Sequence, residues 1–216
     1  MKKQLFIFDL DGTLVDAYIA IWETLLHTLK VLGYPPVDFQ TAKRAVGHGD
    51  KNYIPRFFRP EHVKKASKIY REYHLKSLNG KVKLLPGARQ LLEKLKQTHR
   101  YIAVASNRPS ESGILLVRNL GIEQFFDKMM FGDQVTNQKP DPEILLKILD
   151  SFKIDRKNTV FVGDMDIDVA TGKNAGIDTF AVPTGSSTIE ELRAGNPSKI
   201  CNSLFEIIDM LKQGML

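Results

Sequence analysis

Asp9 and Asp11 stand one residue apart, directly after the apolar run Leu5-Phe6-Ile7-Phe8. Carboxylates this close repel each other unless a cation or a proton lies between them. Magnesium takes oxygen ligands and commonly uses one or two carboxylates together with phosphate oxygens. A carboxylate can also attack phosphorus to form an acyl phosphate. A second one nearby can protonate the leaving oxygen and then deprotonate water. Gly12 permits the sharp turn that gathers both side chains at one place. The plainer alternative is a pair of surface aspartates ahead of an Asp-Gly turn.

Three further segments carry related chemistry. Gly163-Asp164-Met165-Asp166-Ile167-Asp168 follows the apolar run Val160-Phe161-Val162. A helix beginning at Asp164 would set Asp164 and Asp168 one turn apart on one face. Asp164 is then the first choice for direct metal contact. Asp168 either binds the metal or steadies a group that does, and Asp166 faces solvent. Ser106-Asn107 ends another apolar run, where a hydroxyl and free amides can hold a phosphate oxygen or cap a helix. Lys139, ahead of Pro140, can neutralise phosphate charge and fix a nucleophile as a point-charge donor.

The elements that must position these residues are legible as a pattern. Apolar runs at 5–8, 101–105, 159–162 and 179–182 read as buried strands of a largely parallel sheet, with a further strand at 128–131. Helical patterns at 88–97, at 111–120 before Gly121, and from Asp141-Pro142 to Phe152 alternate with them. Such alternation predicts an open α/β sheet covered on both faces, whose ligands bind beyond the carboxyl ends of the strands. Residues 16–82 break the alternation. They read as helices at 18–31, 39–46, 52–58 and 61–78, separated by Gly33-Tyr34-Pro35-Pro36, Gly47-His48-Gly49 and Arg59-Pro60. The expected organisation is a core of 1–15 and 83–216 with a helical cap, 16–82, spliced in.

Composition narrows the partners. The 216 residues are 43% hydrophobic and 26% charged, enough for a well-cored domain with a sizeable insertion. The run after Met1-Lys2-Lys3 is too short for a signal peptide, and no segment approaches a membrane span. A lone cysteine, Cys201, excludes internal disulfides and fits a reducing cytoplasm. The net charge of +6 is localised: residues 16–83 hold thirteen Lys/Arg against six Asp/Glu, and the rest hold eighteen against nineteen. Lys64, Lys65, Lys68 and Arg71 read as a solvated helix face, with steering of anionic substrates as the second reading. No aromatic-interleaved basic motif speaks for nucleic acid.

Asp9-x-Asp11-Gly12-Thr13, Ser106, Lys139-Pro140 and Gly163-Asp164-x-x-x-Asp168 occur in that order. In this the chain resembles the haloacid dehalogenase-like superfamily, over essentially its whole length, because the helical insertion falls where subfamily I members carry their cap. The resemblance implies a Rossmann-like core, Mg²⁺ and an aspartyl-phosphate intermediate. It implies metal contact through the carboxylate of Asp9, the backbone carbonyl of Asp11 and Asp164, and phosphate contact through Ser106 and Lys139. Asp11 sets the chain with phosphatases and phosphomutases, which must protonate a leaving oxygen, and apart from dehalogenases. Leu32-Gly33-Tyr34-Pro35-Pro36 and Ala45-Val46-Gly47-His48-Gly49 look like the cap of phosphoglycolate phosphatase-like proteins. Gly47, His48 and Gly49 are thus the specificity candidates, with Arg44 and Asn52 nearby. His48 would hydrogen-bond a substrate carboxylate or hydroxyl, or else face water. The other histidines, His74 among them, read as structural or surface residues.

The expected activity is Mg²⁺-dependent hydrolysis of small phosphorylated metabolites, phosphoglycolate-like monoesters first. A β-phosphoglucomutase-like phosphotransferase is the alternative, and a non-catalytic binding protein the weakest reading. The expected enzyme is cytoplasmic, a monomer or homodimer, with neither nucleic acid nor membrane as partner.

Overall fold

A computed structural model describes residues 2–216. Its centre is a six-stranded, all-parallel sheet. The strands are β1 (Leu5–Phe8), β4 (Tyr101–Ser106), β5 (Lys128–Phe131), β6 (Thr159–Gly163), β7 (Asp178–Ala181) and β8 (Lys199–Ile200). Their order is β5-β4-β1-β6-β7-β8. In-register pairing sets Leu5–Phe8 between 101–104 and 159–162. The chain builds outward from β1 on one side and then on the other, so the strand order reverses at β1. That reversal opens a crevice at the carboxyl ends of the strands, where α/β sheets hold ligands.

Side-chain alternation along the strands divides the interior into two cores. Phe6, Phe8, Ile102, Val104, Val160 and Val162 face one, with Leu91, Leu92 and Leu95 of α5 (Ala88–Gln97) and Leu204 and Ile207 of α10 (Leu204–Lys212). Leu5, Ile7, Ala103, Ala105 and Phe161 face the other, with Ile144, Leu145 and Ile148 of α7 (Glu143–Phe152). Every residue of β1 is fully buried, which is why it reads as an unbroken apolar run. Three more helices complete this part: α6 (Ser110–Asn119), α8 (Asp166–Ala175) and α9 (Ile189–Ala194).

The insertion leaves and rejoins through a small antiparallel pair that the sequence did not announce. Its strands are β2 (Val15–Asp16) and β3 (Lys83–Leu84), with Val15 opposite Leu84. Two-residue strands carry too little periodicity to be read from sequence. Between them lie α1 (Tyr18–Val31), α2 (Phe39–Arg44), α3 (Asp50–Tyr53) and α4 (Pro60–Ser77). The helix expected at 39–46 ends at Arg44. The one expected at 52–58 begins earlier, at Asp50, and passes into a 3₁₀ turn, Ile54–Arg56, at Pro55. Proline within a helix removes a hydrogen bond and disfavours continuation, which accounts for the break. Trp22 of α1 packs edge-on against Phe39, 5.7 Å between centroids, and donates its indole N–H to the Val37 carbonyl at 2.8 Å.

Lys64, Lys65, Lys68 and Arg71 are exposed on α4, as a solvated face requires. Arg44 ties the insertion to the rest: its guanidinium meets Glu191 at 2.5 and 2.9 Å and the Ser186 carbonyl at 2.5 Å. Among the described residues no helix is long and apolar enough to cross a membrane.

Candidate active site

The neighbouring strands β4, β1 and β6 each release a polar residue at the carboxyl edge of the sheet: Ser106, Asp9 and Asp164. All are buried, together with Asp11, Lys139 and Asp168. The Lys139 ammonium lies 2.8 Å from Asp9 Oδ1 and 2.6 Å from Asp168 Oδ1. Thr13 donates its hydroxyl to Asp164 Oδ1 at 2.7 Å, and the Ser186 amide approaches the other oxygen at 3.3 Å. Asp9, Asp164 and Asp168 each bring a carboxylate oxygen within 4.8 Å of the others.

Three buried carboxylates against one lysine leave excess negative charge, and the electrostatics register it. Burial pushes Asp9 up to about 6, helped by the charges of Asp168 and Asp11 and opposed by Lys139. Asp164 is driven well above the usual carboxylate range, by burial first and then by Asp168 and Asp9. Lys139 is held above its ordinary value because the two aspartates outweigh its own burial. An all-oxygen, anion-rich set of this kind fits a hard divalent cation such as Mg²⁺.

Backbone shape makes this packing possible. Gly12 has φ +90°, and a Cβ there would stand 2.4 Å from both Asp164 Oδ2 and the Tyr18 hydroxyl oxygen. No L side chain fits, so the turn after Asp11 has to be glycine. The helix expected to start at Asp164 starts instead at Asp166. Asp164 precedes it in a bend, and Asp168 occupies the third position of α8, accepting the Met165 amide at 3.1 Å. The two carboxylates converge through this cap and not through helical spacing. Asp166 is exposed, as expected.

Asp11 does not join the three-carboxylate cluster with its side chain. Arg108 grips it in bidentate fashion, Nε to Oδ2 at 2.8 Å and Nη2 to Oδ1 at 2.6 Å. Both Asp11 oxygens are thus turned toward Arg108. A third guanidinium nitrogen, Nη1, lies 2.7 Å from His74 Nε2. Arginine has no acceptor, so Nε2 must carry the lone pair and Nδ1 the proton. Nδ1 then donates toward the Thr24 hydroxyl at 3.2 Å, which itself donates to the Ala20 carbonyl. The imidazole is thereby kept neutral, and its pKa lies well below the ordinary value through burial and the adjacent Arg108.

His74 was expected to be a structural or surface residue. It is buried on α4 in a hydrogen-bonded network, which is the structural alternative, and it also lines the site cavity. A histidine inside an amphipathic helical pattern gives no sign of which core it enters. Arg108, two residues after Ser106, carried no expectation from its sequence position.

A depressed histidine pKa has a sign. The unfolded chain binds a proton near the ordinary value of 6.5 and the folded chain does not, so stability is full above that pH and falls below it. For this one group the expected slope is about 1.4 kcal/mol per pH unit between roughly pH 6 and pH 5. Denaturant titrations of wild type and His74→Gln should differ in slope by about that amount. Parallel curves would show that His74 does not stay neutral.

The Asn107 side chain is engaged within the protein. Its side-chain NH₂ reaches the Gly47 carbonyl at 3.0 Å and the Lys139 carbonyl at 3.1 Å, and its oxygen accepts the Lys139 amide at 2.9 Å. It clamps the lysine loop and the insertion together. Gly47, at φ +103°, sits where a Cβ would strike Met165 Sδ at 2.1 Å. Gly47 and Gly49 line the cavity; His48 is not among its lining residues. His48 is half-buried, its pKa lowered by burial and by Arg56.

The cavity holds about 470 Å³ of empty space, its open mouth included, between the carboxyl edge of the sheet and the insertion. Asp9, Asp11, Ser106 and Arg108 form one side. Ile21, Asp50, Tyr53, Tyr70 and His74 form the other.

Known proteins resemble the chain along its length. A phosphoglycolate phosphatase from Psychrobacter arcticus is 27% identical, the alignment covering 98% of this chain and 96% of that one. A phosphorylated carbohydrates phosphatase from Thermotoga maritima is 28% identical, over 94% and 98%. The crystal structure of a predicted phosphoglycolate phosphatase from Haemophilus somnus superposes with a TM-score of 0.91 at 22% identity, covering 98% of this chain and 99% of that one, which shows a common fold. The model of the haloacid dehalogenase-like hydrolase family matches residues 6–182, and the chain belongs to that family.

Proposed function

We propose that the chain is a Mg²⁺-dependent phosphatase of small phosphorylated metabolites, with phosphoglycolate-like monoesters first among them, working through a phosphoryl group carried on Asp9. The observation that carries this is the Asp9 carboxylate itself. It is buried and held at 2.8 Å by Lys139, on the wall of a cavity that Asp11 also lines. The helical insertion, 16–82, acts as the cap over a core of 1–15 and 83–216.

Asp9 and Asp164 would hold the ion, with the Asp11 carbonyl, and Asp168 serves mainly to fix Lys139. Bound there, Mg²⁺ would supply charge neutralisation that lets one anion approach another. Lys139, the Ser106 hydroxyl and nearby amides hold phosphate oxygens. An Asp9 oxygen attacks phosphorus, the ester P–O bond breaks, and Asp11 delivers a proton to the departing alkoxide. Water then attacks the acyl phosphate, gives its proton to Asp11, and frees Asp9 and inorganic phosphate. To donate, Asp11 must leave the guanidinium of Arg108, which holds both its oxygens. The cap excludes bulk water during both steps.

We place the enzyme in the cytoplasm, as a monomer or homodimer without nucleic-acid or membrane partners; the buried single cysteine Cys201 accords with this. The test is phosphate release, with and without Mg²⁺, from phosphoglycolate, several sugar phosphates and pyrophosphate. Mg²⁺-dependent release from at least one monoester is expected. Isomerised sugar phosphate in place of free phosphate would move the assignment to a mutase.

A further inference from the structure

The wall of the cavity contributed by the insertion carries a single ionisable acid, Asp50. Asp50 opens α3 and lines the cavity with Asp9 and Asp11. Its ion-pair partner, Arg71 Nε at 3.4 Å, is 56% exposed and lies outside the cavity wall. Arg108 is the only cationic side chain among the described residues that line the cavity. It is already committed, to both oxygens of Asp11 and to His74. Tyr53, three residues beyond Asp50, is only 4% exposed and buries a hydroxyl that has no hydrogen-bond partner. Tyr70 stands 5.8 Å from it, ring to ring, on the same wall. A buried hydroxyl without a partner is costly and points to a ligand group that completes it.

We propose that Asp50 is the residue by which the cap selects the leaving group, accepting a hydrogen bond from a hydroxyl at the end remote from phosphate and repelling a second anion there. Tyr53 supplies the companion hydroxyl. The proposal rests on the monoester-hydrolysis reading but changes its order of substrates: esters whose remote end is neutral and hydroxylated come ahead of phosphoglycolate, whose leaving group carries a carboxylate there. An anion at that end would meet a carboxylate with no uncommitted cation to offset it, and like-charge contact in a partly desolvated site is strongly unfavourable. A bisphosphate is disfavoured on the same ground. This also separates the site from a mutase, which must hold a sugar bisphosphate while the phosphoryl group changes position.

The competing view is that Asp50 only pairs with Arg71 and steadies the first turn of α3. Glycerol 3-phosphate and 3-phosphoglycerate separate the two, because they share a three-carbon skeleton and differ in a remote CH₂OH or carboxylate. With the full chain and Mg²⁺, kcat/KM from phosphate release should favour glycerol 3-phosphate by about tenfold or more. Asp50→Asn should narrow the ratio to about threefold or less, and Asp50→Lys should invert it. The wild-type ratio needs no variant to fold, and ratios within a variant cancel any loss of active protein. Equal rates for the two esters, or a ratio unmoved in both variants, would overturn the role of Asp50 while leaving hydrolysis of other monoesters standing. Absence of Mg²⁺-dependent release from every ester, phosphoglycolate included, would overturn the phosphatase reading and this proposal with it.

Discussion

Asp9→Asn is expected to lower kcat by about 10⁴-fold or more, the scale seen when an attacking side chain is removed, while making the metal-free protein more stable. The first half follows from the nucleophile: a carboxamide oxygen carries no charge and forms no stable phosphoryl adduct. The second follows from the surroundings. The Asn oxygen can still accept from Lys139, so the hydrogen bond at 2.8 Å survives. What disappears is one of three buried carboxylates, whose folded pKa of about 6 stands above its ordinary value of 3.8. A group raised in this way costs stability as pH climbs from the unfolded value through the folded one, because the folded state binds the extra proton. Near pH 8 the relief should be on the order of 1–3 kcal/mol. Phosphate release and thermal unfolding in EDTA read the two halves separately. An Asp9→Asn enzyme with substantial Mg²⁺-dependent turnover would remove Asp9 as nucleophile. A variant that is inactive because it melts early would refute the account of the charge cluster.

The sequence made the frame of this site legible for a physical reason. Strands buried on both faces appear as unbroken apolar runs, and the residue that follows such a run must lie at the sheet edge. Asp9, Ser106 and Asp164 could therefore be placed together before any coordinate was known. Their partners could not. Arg108 reaches Asp11 across 97 positions, and His74 reaches Arg108 from a helix in the insertion. Contacts of that kind depend on how the insertion sits over the sheet, and periodicity within α4 carries no information about that. Asp50 was invisible for a related reason: at the start of a short helix an aspartate is ordinary, and only the cavity on its other side gives it a second meaning. The start of α8 failed differently. Either aspartate could have begun the helix on pattern alone, and the actual choice came from the Asp168 carboxylate closing back on the Met165 amide.

Lys139→Met should be the most destabilising single change in the site. Methionine matches the stem of lysine in length but leaves Asp9 and Asp168, now 2.8 and 2.6 Å from the ammonium, facing each other without it. Removing one partner of a buried ion pair typically costs about 3–5 kcal/mol, since the remaining charge stays desolvated. For a chain of this size that corresponds to a fall of about 10 °C in Tm. The loss should depend on pH in a fixed direction. Below about pH 5 Asp9, already raised to about 6, takes up a proton and the variant approaches wild type; toward pH 8 it must ionise, and the gap widens. Saturating Mg²⁺ should recover part of the loss, because a cation bound to the folded state alone stabilises it by mass action. Turnover should remain low even then, since a cation at the carboxylates does not replace the ammonium at Asp9. Unfolding curves in EDTA and in Mg²⁺, at two pH values, give all four numbers. A Tm loss that is the same at both pH values and indifferent to Mg²⁺ would mean that Lys139 acts by packing against Phe161, whose ring centroid lies 5.6 Å from the ammonium, and not by holding the carboxylates in place.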